Sequence, residues 1–505
     1  MSDTGTARAT GLPDAARDPA TASHVTDNPS FEDLRAFSAS TETTTSDGAP
    51  AYVSEFRSRS AECTRNTVDD EFDDRDRDLV AAGLDALAAG DTEFVCVDRM
   101  VGRHPEESAH ARLFVPKEYG RIALAWAKLL EPADGDDPDF VTVQVPDYEE
   151  TAIRVLVEEG LTVVLGSDYT GEAKKSFLRL FMHRAKAAGG LGLHAGSKRV
   201  HLERDGELTT VGQVFLSLSG TGKSTLTGHG FWLEAPESAA MLQDDVCALR
   251  PDGVVAGSEG AGLYIKTIGL DREDQPELYD AATHESAVLE NVAVADDGTV
   301  DFDADEYTTN GRAVVQREVL DSASEDVDLE HVDQVFFITR NPLMPPIAKL
   351  SEEQAAAAFM LGESVQTSAG DPDAAGESIR VVGTNPFIVG SEGAEGNRFY
   401  DLIADLGVET YVINTGTIGG GAVDVGVEDT VALLTEPARG TVEWREDEAL
   451  GLTVPAAVPG LDVDRFDVAA VVEDFVEKYA ALREERRDYL AAFKDLRPSI
   501  VDAAY

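Results

Sequence analysis

Apolar runs alternate with helically spaced apolar positions along most of the chain. Runs at 94–97 and 161–165 have the length and composition of buried strands, and 175–187 shows helical spacing. This alternation predicts a mixed α/β domain over residues 51–212. Residues 1–50 are rich in Ser, Thr, Ala and Asp and show neither period, so they predict a mostly disordered, acidic tail.

A second series of strands begins at residue 213. Apolar runs at 335–339 and 410–413 continue the series, and a long amphipathic helical pattern lies near 466–495. This pattern again favours an α/β domain, which we expect to cover residues 213–505.

A glycine-rich loop follows the first apolar run of this second domain. In chain order it consists of Ser217, Leu218, Ser219, Gly220, Thr221, Gly222, Lys223 and Ser224. In a loop of this kind the backbone N–H groups and a helix start face an anion, Lys223 reaches the outer phosphates, and the Ser224 hydroxyl can bind a nucleotide's magnesium. Ser217 replaces the glycine that usually begins the pattern. The loop predicts binding of a nucleoside triphosphate.

A pair of carboxylates stands where a phosphate loop needs a metal-binding acid. Asp244 and Asp245 follow the apolar Met241 and Leu242, and Asp245 lies twenty-one residues beyond Ser224. An aspartate pair in an acidic chain is usually solvated surface. Its position after a phosphate loop favours a metal-binding strand end instead.

The overall charge excludes some classes of partner. The 505 residues include 95 Asp and Glu against 42 Lys and Arg, which gives a formal net charge of −53 at pH 7. A charge of this sign repels phosphate backbones and anionic lipids, so we expect neither a nucleic-acid nor a membrane partner. Because the acidic residues are spread along the whole sequence, we interpret them as an adaptation to concentrated salt, and any anionic ligand must be met by local cations.

The cysteines and the hydropathy point to a reducing, aqueous compartment. Only three cysteines occur, too few and too scattered for a disulfide framework or a zinc site. No apolar run approaches the ~20 residues of a membrane span, and the first residues have no signal core. We therefore expect a cytoplasmic protein. These features do not determine the oligomeric state, for which a monomer is the expectation.

With these residues in place, the chain resembles the ATP-dependent phosphoenolpyruvate carboxykinase family from residue 52 to 450. Several motifs of that family occur in the family's order. They are Gly166–Lys175 (GSDYTGEAKK), Leu193–Ala195 (LHA), Ser217–Thr225 (SLSGTGKST), Leu242–Asp245 (LQDD), Tyr264–Ile268 (YIKTI), Leu289–Val292 (LENV), Met344–Pro346 (MPP) and Val412–Gly416 (VINTG).

The resemblance implies a fold and a reaction. The fold is an α/β, two-domain carboxykinase-like one, with a mononucleotide-binding C-terminal domain that carries the phosphate loop. The reaction converts oxaloacetate and ATP to phosphoenolpyruvate, CO₂ and ADP, a step of gluconeogenesis. Its chemistry develops negative charge on an enolate and on a γ-phosphoryl group, and that charge calls for metals and cations.

The resemblance also implies the metal sites. Lys175, His194 and Asp245 would bind Mn²⁺ directly, with Lys175 ligating as the neutral amine. Ser224 would bind Mg²⁺ together with the nucleotide. A set of two nitrogens and one carboxylate suits Mn²⁺ better than Ca²⁺, and histidine is an unusual ligand for Mg²⁺.

The remaining roles concern the two substrates. Among the catalytic groups Lys175, Lys223, Lys266 and Arg312, the last two would neutralise the transferring phosphoryl group. Arg59 and Tyr169, with Lys175, would bind oxaloacetate, because a guanidinium can hold a carboxylate through two hydrogen bonds. Arg312 and Thr430 would join the phosphate loop in binding the nucleotide.

Departures from the family pattern leave alternatives open. If Thr430 is the family's nucleotide-binding threonine, Asp424 replaces the arginine that packs on adenine, and Gln275 replaces a nearby glutamate. The base pocket is therefore altered. Triphosphate binding does not by itself imply a preference for ATP, which we nevertheless expect. Two other hypotheses remain: a carboxykinase-like kinase that phosphorylates a hydroxyl group, and a nucleotide-binding regulator without catalysis.

Overall fold

The computed structural model describes residues 12–56, 61–218, 221–273, 275–365 and 378–505. The protein has a mixed α/β architecture with several sheets, as expected. It divides into two compact units. The first comprises the described residues of Met1–Arg184 and Ser258–Asp321, and the second those of Ala185–Gly257 and Ser322–Tyr505.

The first unit contains an eight-stranded sheet. In spatial order its strands are Val25–Asp27, Phe94–Val101, Ala109–Pro116, Phe140–Val145, Leu161–Leu165, Ala152–Leu156 and Thr64–Asn66, with Glu131–Pro132 paired to Phe94–Val101. The helix Asp74–Ala89 covers this sheet, and its buried Leu79, Gly83 and Leu87 recur every four residues on one face.

A second sheet of the first unit carries two of the predicted site residues, Lys266 and Arg312. Its strands in spatial order are Gly262–Lys266, Arg312–Gln316, Val288–Glu290, Pro50–Tyr52 and Thr43–Thr44. The helices of this unit are Asp14–Arg17, Phe31–Phe37, Asp74–Ala89, Gly120–Ala127 and Pro276–Thr283, with most of Thr170–Ala187.

The prediction of a disordered tail over residues 1–50 is wrong for residues 12–50. Strand Val25–Asp27 pairs in parallel with Phe94–Val101, and Ala16 and Leu34 are fully buried. These elements span only a few residues each, too short to show a helical or strand period. Residues 1–11 lie outside the described part of the chain.

The second unit is built on another eight-stranded sheet. In spatial order its strands are Ser238–Gln243, Ala195–Arg204, Glu207–Leu216, Gln334–Thr339, Glu409–Asn414, Ile347–Leu350, Leu452–Ala457 and Glu443–Asp447. A smaller sheet contains Leu191–Leu193, Cys247–Leu249 and Val255–Gly257. The helices are Lys223–Gly228, Glu352–Leu361, Glu392–Leu406, Val427–Arg439, Val468–Val471, Phe475–Ala491 and Pro498–Asp502.

The mainly aliphatic core of the second unit contains a stack of aromatic rings. Phe215 stacks on Phe336 with ring centroids 5.4 Å apart, and Phe336 stacks on Tyr411 at 5.1 Å. These rings lie on three neighbouring parallel strands. Parallel strands present their carboxyl ends at one edge of a sheet, which is where ligands of open α/β sheets bind.

The unit boundaries differ from the predicted division at residue 212. That division falls inside the strand Glu207–Leu216, which pairs along its whole length with Ala195–Arg204, so it would cut a continuous ladder. Residues 258–321 return to the first unit, because their strands pair with Pro50–Tyr52. Contiguous apolar runs carry no information about which sheet a later strand joins. Within the described ranges, no helix combines the length and apolar character of a membrane span.

Candidate active site

The phosphate loop begins where the strand Glu207–Leu216 ends, at the carboxyl edge of the parallel strands. Ser217 is fully buried, while Ser219 and Gly220 lie outside the described residues. Gly222 has a φ of +105° and directly precedes the helix Lys223–Gly228. A side chain at position 222 would be strained, because only glycine adopts this conformation readily.

Hydrogen bonds tie the loop to the neighbouring strand end. The Thr221 hydroxyl donates to the carbonyl oxygen of Leu218 at 2.8 Å. Thr415, just after the strand Glu409–Asn414, donates its hydroxyl to the carbonyl oxygen of Thr221 at 3.0 Å. The first bond closes the loop on itself, and the second ties it to the neighbouring strand end.

Antiparallel pairing brings His194 and Asp245 to this edge. His194 precedes the strand Ala195–Arg204, whose Ser197 pairs with Gln243 near the end of its neighbour. Nε2 of His194 lies 3.2 Å from Oδ1 of Asp245. The ammonium of Lys223 lies 3.3 Å from the same carboxylate oxygen and 3.4 Å from Nε2.

The hydrogen bond made by the other ring nitrogen, Nδ1, determines which nitrogen of neutral His194 carries the hydrogen. Nδ1 lies 2.7 Å from the carbonyl oxygen of Thr384, which can only accept, so Nδ1 carries a hydrogen. In neutral His194 the lone pair of Nε2 then faces the Asp245 oxygen. Two acceptors this close are favourable only with a cation beside them, and Lys223 supplies one here. The same donor set, with its outer hydrogen bond in place, fits a divalent metal ion.

The second carboxylate of the aspartate pair contacts the loop helix. Ser224 donates its hydroxyl to Oδ2 of Asp244 at 2.9 Å, and Asp244 is buried. A serine hydroxyl and a carboxylate are hard oxygen ligands of the kind that magnesium takes. Asp244 and Asp245 therefore serve different contacts, one toward Ser224 and one toward His194.

A basic cluster lies in the first unit, on the helix Thr170–Ala187 and the strand Gly262–Lys266. Lys175 pairs with Glu172 at 2.6 Å, and its ammonium lies 5.5 Å from the ring centre of Tyr169. Lys174 pairs with Glu259 at 3.1 Å and lies 5.1 Å from the ring centre of Tyr264. Cations over aromatic faces and beside carboxylates are stabilised in partly buried positions.

Arg312 and Lys266 stand opposite each other in this cluster. They are partners in the register of two antiparallel strands. The Arg312 guanidinium lies 5.3 Å from the ring centre of Tyr264 and donates to Oδ1 of Asn310 at 2.8 Å. Asn310 in turn donates to the Tyr169 hydroxyl at 3.2 Å. Tyr169 and Arg312 are thus linked through one amide.

Glu290 connects the elements that carry the cluster. This buried carboxylate accepts hydrogen bonds from the Thr170 N–H at 3.0 Å and the Tyr264 hydroxyl at 2.9 Å, and it lies 3.4 Å from Arg121. Burial raises the pKa of Glu290 despite the opposing charge of Arg121. The helix start at Thr170 and the strand that ends at Lys266 are held by the same side chain.

Asp168 makes a second link beside this helix start. It accepts from Arg121 at 2.7 Å and from the backbone N–H groups of Glu55 and Phe56, both at 2.9 Å. The predicted oxaloacetate ligand Arg59 lies outside the described residues.

The predicted site residues therefore fall into two groups. Tyr169, Lys175, Lys266 and Arg312 belong to the first unit, and the loop, His194 and Asp245 to the second. The predicted metal set draws Lys175 from the first unit and its other two members from the second, and its assembly stays a prediction.

Thr430 is buried, and its hydroxyl donates within its helix to the carbonyl oxygen of Gly426 at 2.9 Å. Asp424 is exposed.

Several side chains that contact these groups have no role predicted from the sequence. Tyr264 and Glu290 lie inside matched motifs, so the motifs could have indicated them. Asn310 stands two residues before Arg312, in the turn that precedes the strand Arg312–Gln316. Thr384 has no signal in the sequence, because its contact with His194 spans 190 residues.

Comparison with known proteins places these groups in a family context. A family model for phosphoenolpyruvate carboxykinase matches residues 24–464. A protein of Aeropyrum pernix named phosphoenolpyruvate carboxykinase (ATP) is 37% identical over 405 residues, which cover 79% of this chain and 80% of that protein. A protein of the same name from a Chelativorans species is 33% identical over 392 residues, covering 72% of this chain and 69% of its own length.

Proposed function

The chain belongs to the ATP-dependent phosphoenolpyruvate carboxykinase family, a family of carboxy-lyases, and we propose that it converts oxaloacetate and ATP to phosphoenolpyruvate, CO₂ and ADP. The observation that carries the proposal is the arrangement of Lys223, His194 and Asp245 at the phosphate loop. These groups supply a phosphate-binding cation and a metal-binding pair at one place. In the fold we propose, the second unit is the mononucleotide-binding domain.

The second unit supplies the groups for the triphosphate. Lys223 binds the β- and γ-phosphates, and the N–H groups from Ser217 to Ser224 surround them. Ser224, supported by Asp244 at 2.9 Å, binds the Mg²⁺ of the nucleotide. Thr430 lies in the base-binding region. Asp424 replaces the arginine that packs on adenine in the family, so the preferred base is to be measured by comparing ATP with GTP.

Three side chains would hold the second metal ion. His194 and Asp245 provide one nitrogen and one oxygen, and Lys175 adds a neutral amine. The hydrogen bond from His194 to Thr384 fixes the tautomer that leaves Nε2 available. Mn²⁺ accepts this mixed set, and when bound it supplies positive charge that stabilises an enolate oxygen.

The first unit supplies the groups for the dicarboxylate and the transferred phosphoryl group. Tyr169 and Arg59 bind oxaloacetate, and Asn310 fixes the Tyr169 hydroxyl through a hydrogen bond of 3.2 Å. Lys266 and Arg312, opposite each other on adjacent strands, neutralise charge on the phosphoryl oxygens. These cations overcome the repulsion that a chain of net charge −53 exerts on two anionic substrates.

The proposed reaction has two steps, a decarboxylation of oxaloacetate and a displacement at the γ-phosphorus of ATP. A carbon–carbon bond of oxaloacetate breaks, CO₂ leaves, and the electron pair remains as the enolate of pyruvate. The enolate oxygen bonds to the γ-phosphorus while the bond from that phosphorus to the β,γ-bridging oxygen breaks, releasing ADP. The residues of this chain hold the reacting groups and screen their charge, and no side chain forms a covalent intermediate. In a cell this reaction serves gluconeogenesis.

The test is a direct assay of the purified chain in molar KCl with Mn²⁺, Mg²⁺, oxaloacetate and either ATP or GTP. Formation of phosphoenolpyruvate, followed by ³¹P NMR, is expected. Lys223→Ala should lower kcat at least about 100-fold, whereas Lys478→Ala, an exposed helix lysine of the same unit, should have no effect. Nucleotide binding without any phosphoenolpyruvate would contradict the proposal, and phosphorylation of an added alcohol would favour a kinase.

A further inference from the structure

We infer that Lys198 is a positioning residue that fixes the helix of the phosphate loop, so that nucleotide affinity depends on a side chain that never touches the nucleotide. The inference rests on the proposed function insofar as the loop binds ATP. It concerns the helix Lys223–Gly228, called the loop helix below, and the strand Ala195–Arg204 beneath it.

Lys198 is fully buried and contacts the end of the loop helix. Its ammonium donates to the carbonyl oxygen of Leu226 at 2.6 Å and also to that of His229. It lies 3.7 Å from the ring centre of Phe231. The last carbonyl groups of a helix have no partner within the helix, and they carry partial negative charge. A buried ammonium at this place supplies a hydrogen-bond donor for these carbonyl groups and a positive charge beside their partial negative charge.

The strand is shaped to bring Lys198 to this position. Its pairing with Ser238–Gln243 shifts register between Ser197 and Lys198, and such a bulge redirects the following side chain. Earlier in the strand, a Cβ at Gly196 would lie 2.5 Å from the Thr227 hydroxyl, so only glycine lets the loop helix approach this closely. The bulge and the glycine act on the same short helix.

The segment after the loop helix has an unusual backbone that Lys198 helps to hold. Phe231 and Trp232 have φ values of +57° and +52°, in the left-handed region that side chains disfavour. Nδ1 of His229 accepts a hydrogen bond from the Phe231 N–H at 2.8 Å. Strained backbone of this kind persists only where its surroundings fix it. Lys198 contacts both ends of the segment, through the His229 carbonyl and the Phe231 ring.

Burying the ammonium of Lys198 costs free energy, which indicates that its hydrogen bonds to the two carbonyl groups are needed at this position. Across the described parts of the chain, no carboxylate forms an ion pair with Lys198, and burial lowers the pKa of Lys198 well below its ordinary value. An apolar side chain of similar length would avoid that cost, but it would leave the Leu226 and His229 carbonyls without this donor.

The route from Lys198 to the nucleotide is short. Leu226 is two residues after Ser224 and three after Lys223, within one turn of a six-residue helix. A shift of the helix end therefore moves both phosphate-binding side chains relative to Asp244 and Asp245. Nucleotide binding should weaken, whereas oxaloacetate, bound by groups of the first unit, should be little affected.

The experiment measures binding of ATP with Mg²⁺ by titration calorimetry, separately from turnover. Lys198→Met keeps the length and the contact with Phe231 but removes the donor. We expect the Kd and the KM for ATP to rise about 10- to 100-fold, as for the loss of outer-sphere partners in metal sites, with the KM for oxaloacetate unchanged within about twofold.

A matched control uses another buried cation at a helix end. Arg99 donates to the carbonyl oxygen of Ala127, the last residue of a first-unit helix, at 3.2 Å. Arg99→Met should lower thermal stability and leave ATP affinity unchanged. An equal loss of ATP affinity in both variants would overturn the inference, because it would show general destabilisation.

A second variant guards against failure of Lys198→Met to fold. Lys198→Gln keeps an N–H donor on a shorter side chain, so a smaller loss of ATP affinity than in Lys198→Met is expected. Wild-type ATP affinity in the folded Lys198→Met variant, or in Lys198→Gln if Lys198→Met does not fold, would refute the inference. ATP binding by the wild type without phosphoenolpyruvate formation would refute the proposed function alone.

Discussion

His194 donates its Nδ1 hydrogen to the carbonyl oxygen of Thr384 across 2.7 Å. The bond determines which ring nitrogen faces Asp245, because a carbonyl oxygen can only accept. It connects two segments that are far apart in sequence. The availability of Nε2 for the proposed metal ion is thus a consequence of the fold of the second unit.

Replacement of His194 should therefore affect metal dependence more than nucleotide affinity. His194→Ala removes one nitrogen ligand, and we expect kcat to fall at least about 100-fold, the upper end for loss of a partner that only orients a ligand. The Mn²⁺ concentration for half-maximal activity should rise, as measured by Mn²⁺ titration of turnover. His201→Ala, in the strand that follows His194, is the control. An unchanged Mn²⁺ requirement would exclude His194 as a ligand.

Ser224 should tolerate threonine but not alanine. Both hydroxyl residues can bind the nucleotide's Mg²⁺ and donate to Asp244, whereas alanine can do neither. We expect Ser224→Ala to weaken binding of ATP with Mg²⁺ about tenfold or more, and Ser224→Thr to change it little. Calorimetry with and without Mg²⁺ separates the two contributions. Equal binding by all three proteins in the presence of Mg²⁺ would contradict the assignment.

Glu363 should make the stability of the protein depend on acid pH. Burial raises the pKa of this carboxyl group, but the charges of Arg486 and Arg380 outweigh burial and lower it to about 2, against an ordinary 4.5. A depressed pKa stabilises the folded state above the unfolded pKa, and that stability is lost as pH falls from about 4.5 toward 2. The contribution is about 3 kcal/mol.

Glu363→Gln tests this pH dependence. It should remove the contribution and also destabilise the protein at neutral pH by about 3–5 kcal/mol, because two guanidinium groups lose their buried partner. Denaturant unfolding of both proteins at pH 7, 4 and 3 measures the difference. Glu485→Gln removes an exposed partner of the same Arg380 and should have little effect. A wild-type-minus-variant difference that does not change between pH 7 and 3 would be inconsistent with the low pKa of Glu363.

The net charge of −53 should appear as a salt requirement. The Debye length grows from about 3 Å at 1 M salt to about 10 Å at 0.1 M, so repulsion between the acidic surface and anionic substrates increases on dilution. We expect the KM values for ATP and oxaloacetate to rise as KCl is lowered, before circular dichroism detects unfolding. Full activity in dilute buffer would show that the acidic surface does not control substrate access.

The sequence alone determined the chemistry that depends on neighbouring residues. The phosphate loop could be predicted directly, because its glycines, Lys223 and Ser224 lie next to one another in the sequence. The family could also be recognised, since its motifs keep their order, and the family comparison confirmed it. The alternation of apolar runs correctly indicated a mixed α/β protein.

The tertiary structure decided everything that depends on contacts between distant segments. Residues 12–50 are folded although they show no period, because each short element is stabilised by pairing or burial against a partner elsewhere. Residues 258–321 join the first unit through strand pairing that no local pattern encodes. The contacts of His194 with Thr384 and of Lys198 with the loop helix likewise arise only on folding. Hydrophobic periodicity records which face of an element is buried, and the partner that buries it is chosen by packing of the whole chain.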